Sequence, residues 1–190
     1  MAAPEPEQEL PLEDYVKFAR ECGKGPDAAF ALGERWVGLG IPLEYLKEAY
    51  KFARQAGKGP DTAFALAEEW AAMPYGGLPI VFLSTMYNFA RGIGKGPDKS
   101  FELTKHWYLL NETDGWPALD EELLGDIPKF YKFFRECGKG PDTAIALSER
   151  CIKGVGRLDF NGFTARYKML RGQGKGPDTR IGNCFDHCGL

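Results

Sequence analysis

Basic and aromatic side chains recur at fixed distances from the pentapeptide Gly-Lys-Gly-Pro-Asp, which occurs five times in this chain. Counted back from its first glycine, an arginine stands at position −3 in every copy, and lysine at −6 and tyrosine at −7 in most. A basic row with interleaved aromatic rings can track a phosphate backbone and stack on bases. This candidate binding row comprises Lys17, Arg20, Tyr50, Lys51, Arg54, Tyr87, Arg91, Tyr131, Lys132, Arg135, Tyr167, Lys168 and Arg171.

Each pentapeptide adds one lysine and one aspartate: Lys24, Asp27, Lys58, Asp61, Lys95, Asp98, Lys139, Asp142, Lys175 and Asp178. Two interpretations of these charges stay open. In the first, each row arginine pairs with the turn aspartate of its own or the next copy, and the tyrosines pack between copies. Such pairs would specify register more than stability, because an exposed pair contributes only about 0–1 kcal/mol. In the second, the row binds RNA. The aspartate in every copy favours the structural interpretation, although the lysines can still be free to bind.

Other chemistry has less support in the sequence. Cys184, His187 and Cys188 form a weak candidate zinc site, because they supply three ligands at an unusual spacing where structural zinc takes four. The Gly-Lys-Gly segment lacks the spacing and the preceding strand of a phosphate-binding loop. Neither a nucleophile–base pair nor paired carboxylates can be nominated. We therefore expect no catalytic residues, no cofactor and no enzyme activity.

The elements that carry these residues follow from the repeated pentapeptide. Its copies lie 34, 37, 44 and 36 residues apart, a period typical of helical-repeat arrays. Gly23 can take the left-handed conformation that ends one helix, and Pro26 suits the first turn of the next. The pattern predicts helix–helix turns at residues 23–27, 57–61, 94–98, 138–142 and 174–178.

Apolar residues mark one face on each predicted helix. Before the turn they recur at positions −11, −8, −5 and −4, which lie on one side of an α-helix. After the turn a small residue, a leucine and a tryptophan recur at +6, +9 and +13. The last copy has Arg180, Asn183 and His187 there instead, which predicts a polar end cap.

The predicted fold is all-α: a right-handed α-solenoid of five helix-turn-helix repeats of about 34–44 residues. Residues 1–11 are expected to be a flexible acidic lead-in, and residues 12–190 a single solenoid domain. The longest interval holds an acidic insertion, residues 111–126, read as an extended turn with a short extra helix near residues 118–124.

Composition limits the classes of function. A net charge of −3 argues against a uniformly basic nucleic-acid binder, and no apolar run is long enough for a membrane span. Cys22, Cys137 and Cys151 take places held elsewhere by Ala, Ile and Trp, which indicates buried thiols in a reducing compartment. Residues 1–14 fit neither a secretory signal nor a transit peptide. We expect a cytosolic or nuclear protein, or a mature mitochondrial or plastid chain whose targeting segment has been removed.

The connections between repeats carry a family resemblance. Gly40-Ile41-Pro42-Leu43 and Gly77-Leu78-Pro79-Ile80 resemble the Gly-hydrophobic-x-Pro ending of pentatricopeptide repeats, and the two-helix period is shared with tetratricopeptide repeats. The resemblance covers about residues 12–188 and implies an α-solenoid, with either single-stranded RNA binding in organelles or a role as a subunit of a large assembly. The turn is displaced by one residue from the family's own, so none of its base-reading positions is carried over.

These observations favour a non-catalytic helical-repeat adaptor or scaffold subunit. It would mediate protein–protein contacts in a larger assembly, inside or outside an organelle, with other protein subunits as its partners. The alternative is a pentatricopeptide-like single-stranded RNA-binding protein that uses the Tyr/Arg/Lys row. Five repeats are short for reading RNA alone, and the chain is acidic overall.

Overall fold

The structure is a computed structural model that describes residues 11–74, 77–110, 121–153 and 160–187. Across these residues it contains ten α-helices and no strand, which confirms the all-α prediction, and the helices pack as adjacent pairs. The helices are α1 Leu12–Glu21, α2 Pro26–Gly38, α3 Leu43–Gln55, α4 Pro60–Ala71, α5 Ile80–Gly92, α6 Pro97–Leu110, α7 Glu121–Glu136, α8 Pro141–Lys153, α9 Phe160–Gly172 and α10 Pro177–His187.

The chain divides into two compact units, Met1–Val81 and Phe82–Leu190, with the boundary inside α5. In unit 1, α1 packs against α2 and α3 against α4; in unit 2, α7 packs against α8 and α9 against α10. We number the helix pairs from pair 1 (α1 and α2) to pair 5 (α9 and α10). The single domain expected over residues 12–190 stays a prediction.

The pentapeptides connect the two helices of each pair, and backbone geometry explains why. Gly23 has a φ of +89°, and its counterparts Gly57, Gly94, Gly138 and Gly174 also have positive φ values. The Gly23 N–H donates to the Arg20 carbonyl and the Lys24 N–H to the Ala19 carbonyl, which satisfies two of the free carbonyls at the end of α1. Pro26 then begins α2, where a missing N–H costs nothing.

The core of unit 1 consists of the apolar faces of its two helix pairs. Trp36 and Trp70 of the second helices are fully buried, as are the small residues Ala29 and Ala63, which allow the helices to approach closely. The Tyr15 hydroxyl donates a 2.6 Å hydrogen bond to the Ile41 carbonyl beyond α2. These contacts hold the start of pair 1 against the chain that leads into pair 2.

The core of unit 2 is rich in phenylalanine. Phe130, Phe134, Phe163 and Phe185 are at most 2% exposed and form a cluster that joins α7, α9 and α10. Their ring centroids lie 5.6–6.5 Å apart, with edge-on, tilted and stacked geometries. This cluster fixes pair 5 on pair 4.

Two predictions of local structure are wrong. α7 begins at Glu121 and continues through Pro128, so residues 121–126 belong to the first helix of pair 4 and not to a separate short helix. A proline inside a helix removes one backbone hydrogen bond, but the rest of the helix continues around Pro128. Residues 1–10 and 111–120, where the flexible lead-in and most of the insertion were predicted, lie outside the described residues.

The second error concerns the predicted polar end cap. Arg180 is only 8% exposed, because its guanidinium lies over the Tyr167 ring, 4.5 Å from the centroid. Ile181, Cys184 and Phe185 form the buried face of α10. The buried face of α10 thus occupies the same positions, +6, +7 and +10, that are buried in pairs 2, 3 and 4.

Candidate functional site

The turn lysines and aspartates form ion pairs between consecutive turns. Lys24 pairs with Asp61 in unit 1, while in unit 2 Lys139 pairs with Asp178 and Lys95 pairs with Asp142 at 2.7 Å. Each lysine side chain is about three-quarters covered, whereas the aspartates are more than four-fifths exposed. The lysine thus reaches along the protein surface to the next turn and leaves little free positive charge behind.

The row arginines make a different contact from the one expected. Arg54, Arg91 and Arg135 each donate from Nη1 to the carbonyl of the turn lysine four residues later, at 2.6–2.7 Å. The predicted arginine–aspartate pairing is therefore wrong for these three residues. The arginine lies in the last helical turn, where unpaired carbonyls and the negative end of the helix dipole attract a cation. The aspartate of the following turn is left to the lysine.

The row tyrosines pack between helix pairs. In unit 1, the Tyr50 ring stacks on Phe64 at 4.4 Å and meets the edge of Phe18 from pair 1 at 5.7 Å. In unit 2, Tyr167 meets the edge of Phe133 from pair 4 at 4.9 Å, and Arg180 covers its face.

The other two row tyrosines have comparable surroundings. Tyr131 meets the edge of Phe89 from pair 3 at 5.4 Å. Tyr87 is 7% exposed and lies 4.5 Å from Phe101. All four tyrosine rings are therefore part of the packing and are poorly placed to stack on bases.

The lysines and arginines of the first helices face solvent. The row lysines Lys17, Lys51, Lys132 and Lys168 are all exposed, and so are the five row arginines. Acidic neighbours offset this positive charge to different extents. On α1, Glu13 and Glu21 stand one turn to either side of Lys17. On α9 there are three basic residues and no acidic one. Positive charge is thus concentrated on α9, the first helix of pair 5.

Two cysteines lie beside row tyrosines. Burial raises the pKa of the Cys22 thiol, against a smaller opposing effect of its hydrogen bond with Tyr50. Burial also raises the pKa of Tyr167, and its hydrogen bond with Cys137 adds to that rise. Of the three thiols expected to be buried, Cys151 is fully buried, whereas Cys22 and Cys137 are half-buried. A raised pKa favours the protonated Cys22 thiol, which is a weaker nucleophile than the thiolate.

The weak zinc candidate gains no support within the described residues, which contain no group of three possible metal ligands. Cys184 is fully buried, and its Sγ lies 3.9 Å from the Phe163 carbonyl, inside the core of unit 2. Cys188 and the side chain of His187 lie outside the described residues.

A second set of contacts between helix pairs was missed from the sequence. In unit 1 the Trp36 indole N–H donates to the Glu68 carboxylate, which also binds Arg35. In unit 2 the Trp107 indole N–H donates to Glu149 at 2.9 Å. The available signal was a glutamate at position +11, two residues before the tryptophan position, in copies one, two and four.

The chain matches no family model, and neither a curated protein nor a solved structure matches it. Among the described residues, no helix is both long and apolar enough to cross a membrane. The fold and surface chemistry of this chain are therefore the basis for assigning a function.

Proposed function

We propose that this chain is a non-catalytic helical-repeat adaptor or scaffold subunit that mediates protein–protein contacts in a larger assembly. In this proposal the five helix pairs are repeats of a right-handed α-solenoid of the tetratricopeptide or pentatricopeptide kind. The support is the recurrence of equivalent contacts: the turn lysine–aspartate pair joins pair 1 to 2, pair 3 to 4 and pair 4 to 5. Units that stack through equivalent interfaces form a solenoid.

The observation that carries the proposal is the separation of the aromatic from the basic part of the candidate row. Proteins that bind single strands stack bases on exposed aromatic rings. Here the Tyr50 and Tyr167 rings pack against Phe64 and Phe133. Only the flexible, charged side chains remain at the surface, and these suit the acidic rim of a protein partner.

The distribution of charge indicates where that partner binds. Lys168 and Arg171 on α9 are exposed, and Lys132 on α7 is exposed as well. Acidic neighbours offset the equivalent residues on α1. The proposal therefore assigns an acidic protein surface to the exposed basic residues of α9 and to Lys132, the equivalent of Lys168 in the adjacent pair.

The test is purification of the tagged full-length chain from its source at physiological salt, with and without nuclease. We expect a stoichiometric protein partner that survives nuclease, and a several-fold loss of this partner in the double variant Lys132→Glu, Lys168→Glu. Lys99→Glu is the matched control, because Lys99 is an exposed lysine on the second helix α6. Recovery that is equal in the double variant and the wild type, or that disappears with nuclease, would contradict the proposal.

The exposed lysines and arginines also favour a second candidate, a pentatricopeptide-like protein that binds single-stranded RNA. With the tyrosines packed inside, this binding would depend on phosphate contacts. It would therefore be steeply salt-dependent and tolerant of sequence.

A further inference from the structure

An apolar residue stands at position +7 after the first glycine of every pentapeptide, at Phe30, Phe64, Phe101, Ile145 and Ile181. In unit 1 the preceding pair covers this position. The Phe64 ring centroid lies 5.2 Å from Trp36 and 6.0 Å from Phe18, and Phe64 is only 2% exposed. In unit 1, position +7 of pair 2 is thus the point at which the preceding pair packs.

The same arrangement is present in unit 2. Ile181 of pair 5 is 5% exposed and belongs to the core cluster against which Phe133 of pair 4 packs. Phe133 stands at position −5, the equivalent of Phe18. The turn lysine of the preceding pair, Lys139, completes this junction by pairing with Asp178.

In pair 1, no preceding pair covers position +7. Phe30 is 49% exposed, compared with 2% for its equivalent Phe64. Asp27 and Glu34, the equivalents of Asp61 and Glu68, are also exposed, and neither has an ion-pair partner among the described residues. Pair 1 therefore presents an apolar residue between two carboxylates on the side where a preceding pair would lie.

Pair 5 has exposed residues at the positions that, in pair 1, contact the following pair. Met169 stands at position −5 and is 45% exposed, compared with 9% for Phe18. Lys175, the equivalent of Lys24, is exposed and has no ion-pair partner within the described residues. A flexible thioether packs well on an aromatic ring, so Met169 suits Phe30 as Phe18 suits Phe64.

We infer that pair 5 of one molecule docks on pair 1 of a second copy, with Met169 against Phe30 and Lys175 against Asp27. Such a head-to-tail contact joins two different surfaces, so two joined molecules still have one of each to bind further copies, and we expect association beyond two. Asp186, at the position of Arg35, would oppose Glu34 in this contact. The junction should therefore be weaker than the internal ones and depend on protein concentration. It does not involve the basic row of the proposed function.

The decisive experiment is sedimentation velocity of the full chain over a wide concentration range. The average mass should rise beyond twice the 21.1 kDa of the monomer. Phe30→Glu and Met169→Glu should each be monomeric, because each places a charge in one of the two surfaces that the contact needs. An equimolar mixture of the two should form dimers and stop there, since only one compatible junction is left. Leu39→Glu, at another exposed apolar residue of pair 1, is the matched control and should associate like the wild type.

Charge exchange identifies the contact independently. Asp27→Lys or Lys175→Asp alone should weaken association, and the two together should restore it. Glu34→Arg should strengthen association, because it turns a repulsion from Asp186 into an attraction. Circular dichroism establishes that each variant is folded. A chain that stays monomeric at every concentration, a dimer that stops at two, or a mixture of Phe30→Glu and Met169→Glu without dimers would overturn the inference.

Discussion

Phe30 and Phe64 hold equivalent positions in consecutive helix pairs, but Phe30 is 49% exposed and Phe64 is 2% exposed. The difference comes from the preceding pair: Phe18 and Trp36 cover Phe64. Within unit 1, packing at this position is therefore set by the neighbouring pair and not by the residue's own pair. Substitutions at Phe30 and Phe64 therefore compare a position that no other pair covers with an equivalent position that the preceding pair covers.

Phe64→Ala should lower the free energy of unfolding by about 3–5 kcal/mol, because it opens a cavity beneath Trp36 and Tyr50. Phe30→Ala at the equivalent position should change it by less than about 0.5 kcal/mol. Urea unfolding of dilute protein, followed by tryptophan fluorescence, measures both. Equal losses in the two variants would show that pair 1 does not cover Phe64.

Gly138→Ala should destabilise the protein by about 1–2 kcal/mol, because an L-residue is strained at the φ of +82° that this turn requires. A Cβ added there meets nothing within 4 Å, so the cost is one of backbone conformation. Gly172→Ala is the control, since Gly172 lies in α9 without a positive φ and also has open space around it. It should leave stability unchanged or raise it by up to about 1 kcal/mol. Thermal unfolding should show a lower melting temperature for Gly138→Ala alone, and a loss in both variants would refute the turn account.

Glu149→Ala should cost about 1–3 kcal/mol, because it leaves the buried Trp107 indole N–H without its acceptor. Glu149→Gln keeps an acceptor oxygen and should cost less. Glu102→Ala, at an exposed position of α6, removes only an ion pair with Lys99, so it serves as the control and should be nearly neutral. Chemical denaturation ranks the three variants, and a ranking in which Glu102→Ala is the worst would contradict this role of Glu149.

The hydrogen bond and the charge of Lys95 lower the pKa of the Asp142 carboxyl below its ordinary value of 3.8. A lowered pKa means that the pair stabilises the folded state above the ordinary pKa and stops doing so as pH falls through the lowered one. Carboxyl NMR titration should therefore give a pKa for Asp142 that is below 3.8 in the wild type and close to 3.8 in Lys95→Met. An unchanged titration in Lys95→Met would mean that the ion pair does not form in solution.

The helices and their turns could be predicted from the sequence because their causes are local. Gly23 and Pro26 specify the end of one helix and the start of the next, and the apolar spacing specifies the buried face. The contacts between pairs could not be predicted in the same way. Whether Asp61 meets an arginine or a lysine depends on how two turns are spaced in three dimensions.

The roles of the residues in the candidate binding row could likewise not be predicted from the sequence. Sequence spacing places Tyr167 and Arg171 four residues apart on one helix, but it does not say which of them packs inside. The rings supplied by the neighbouring pair, such as Phe133, bury the tyrosine and leave the arginine exposed. That α10 keeps its buried face likewise required the structure, because Arg180 is buried through its contact with Tyr167.

The most direct test of the scaffold proposal is a fluorescence anisotropy titration of labelled single-stranded RNA with the full chain at low salt. Since the row tyrosines are packed inside, we expect only weak binding that does not saturate and that disappears as salt is raised. Saturable binding that persists at physiological salt, and that the double variant Lys132→Glu, Lys168→Glu abolishes while Lys99→Glu does not, would contradict the proposal and establish the RNA-binding alternative.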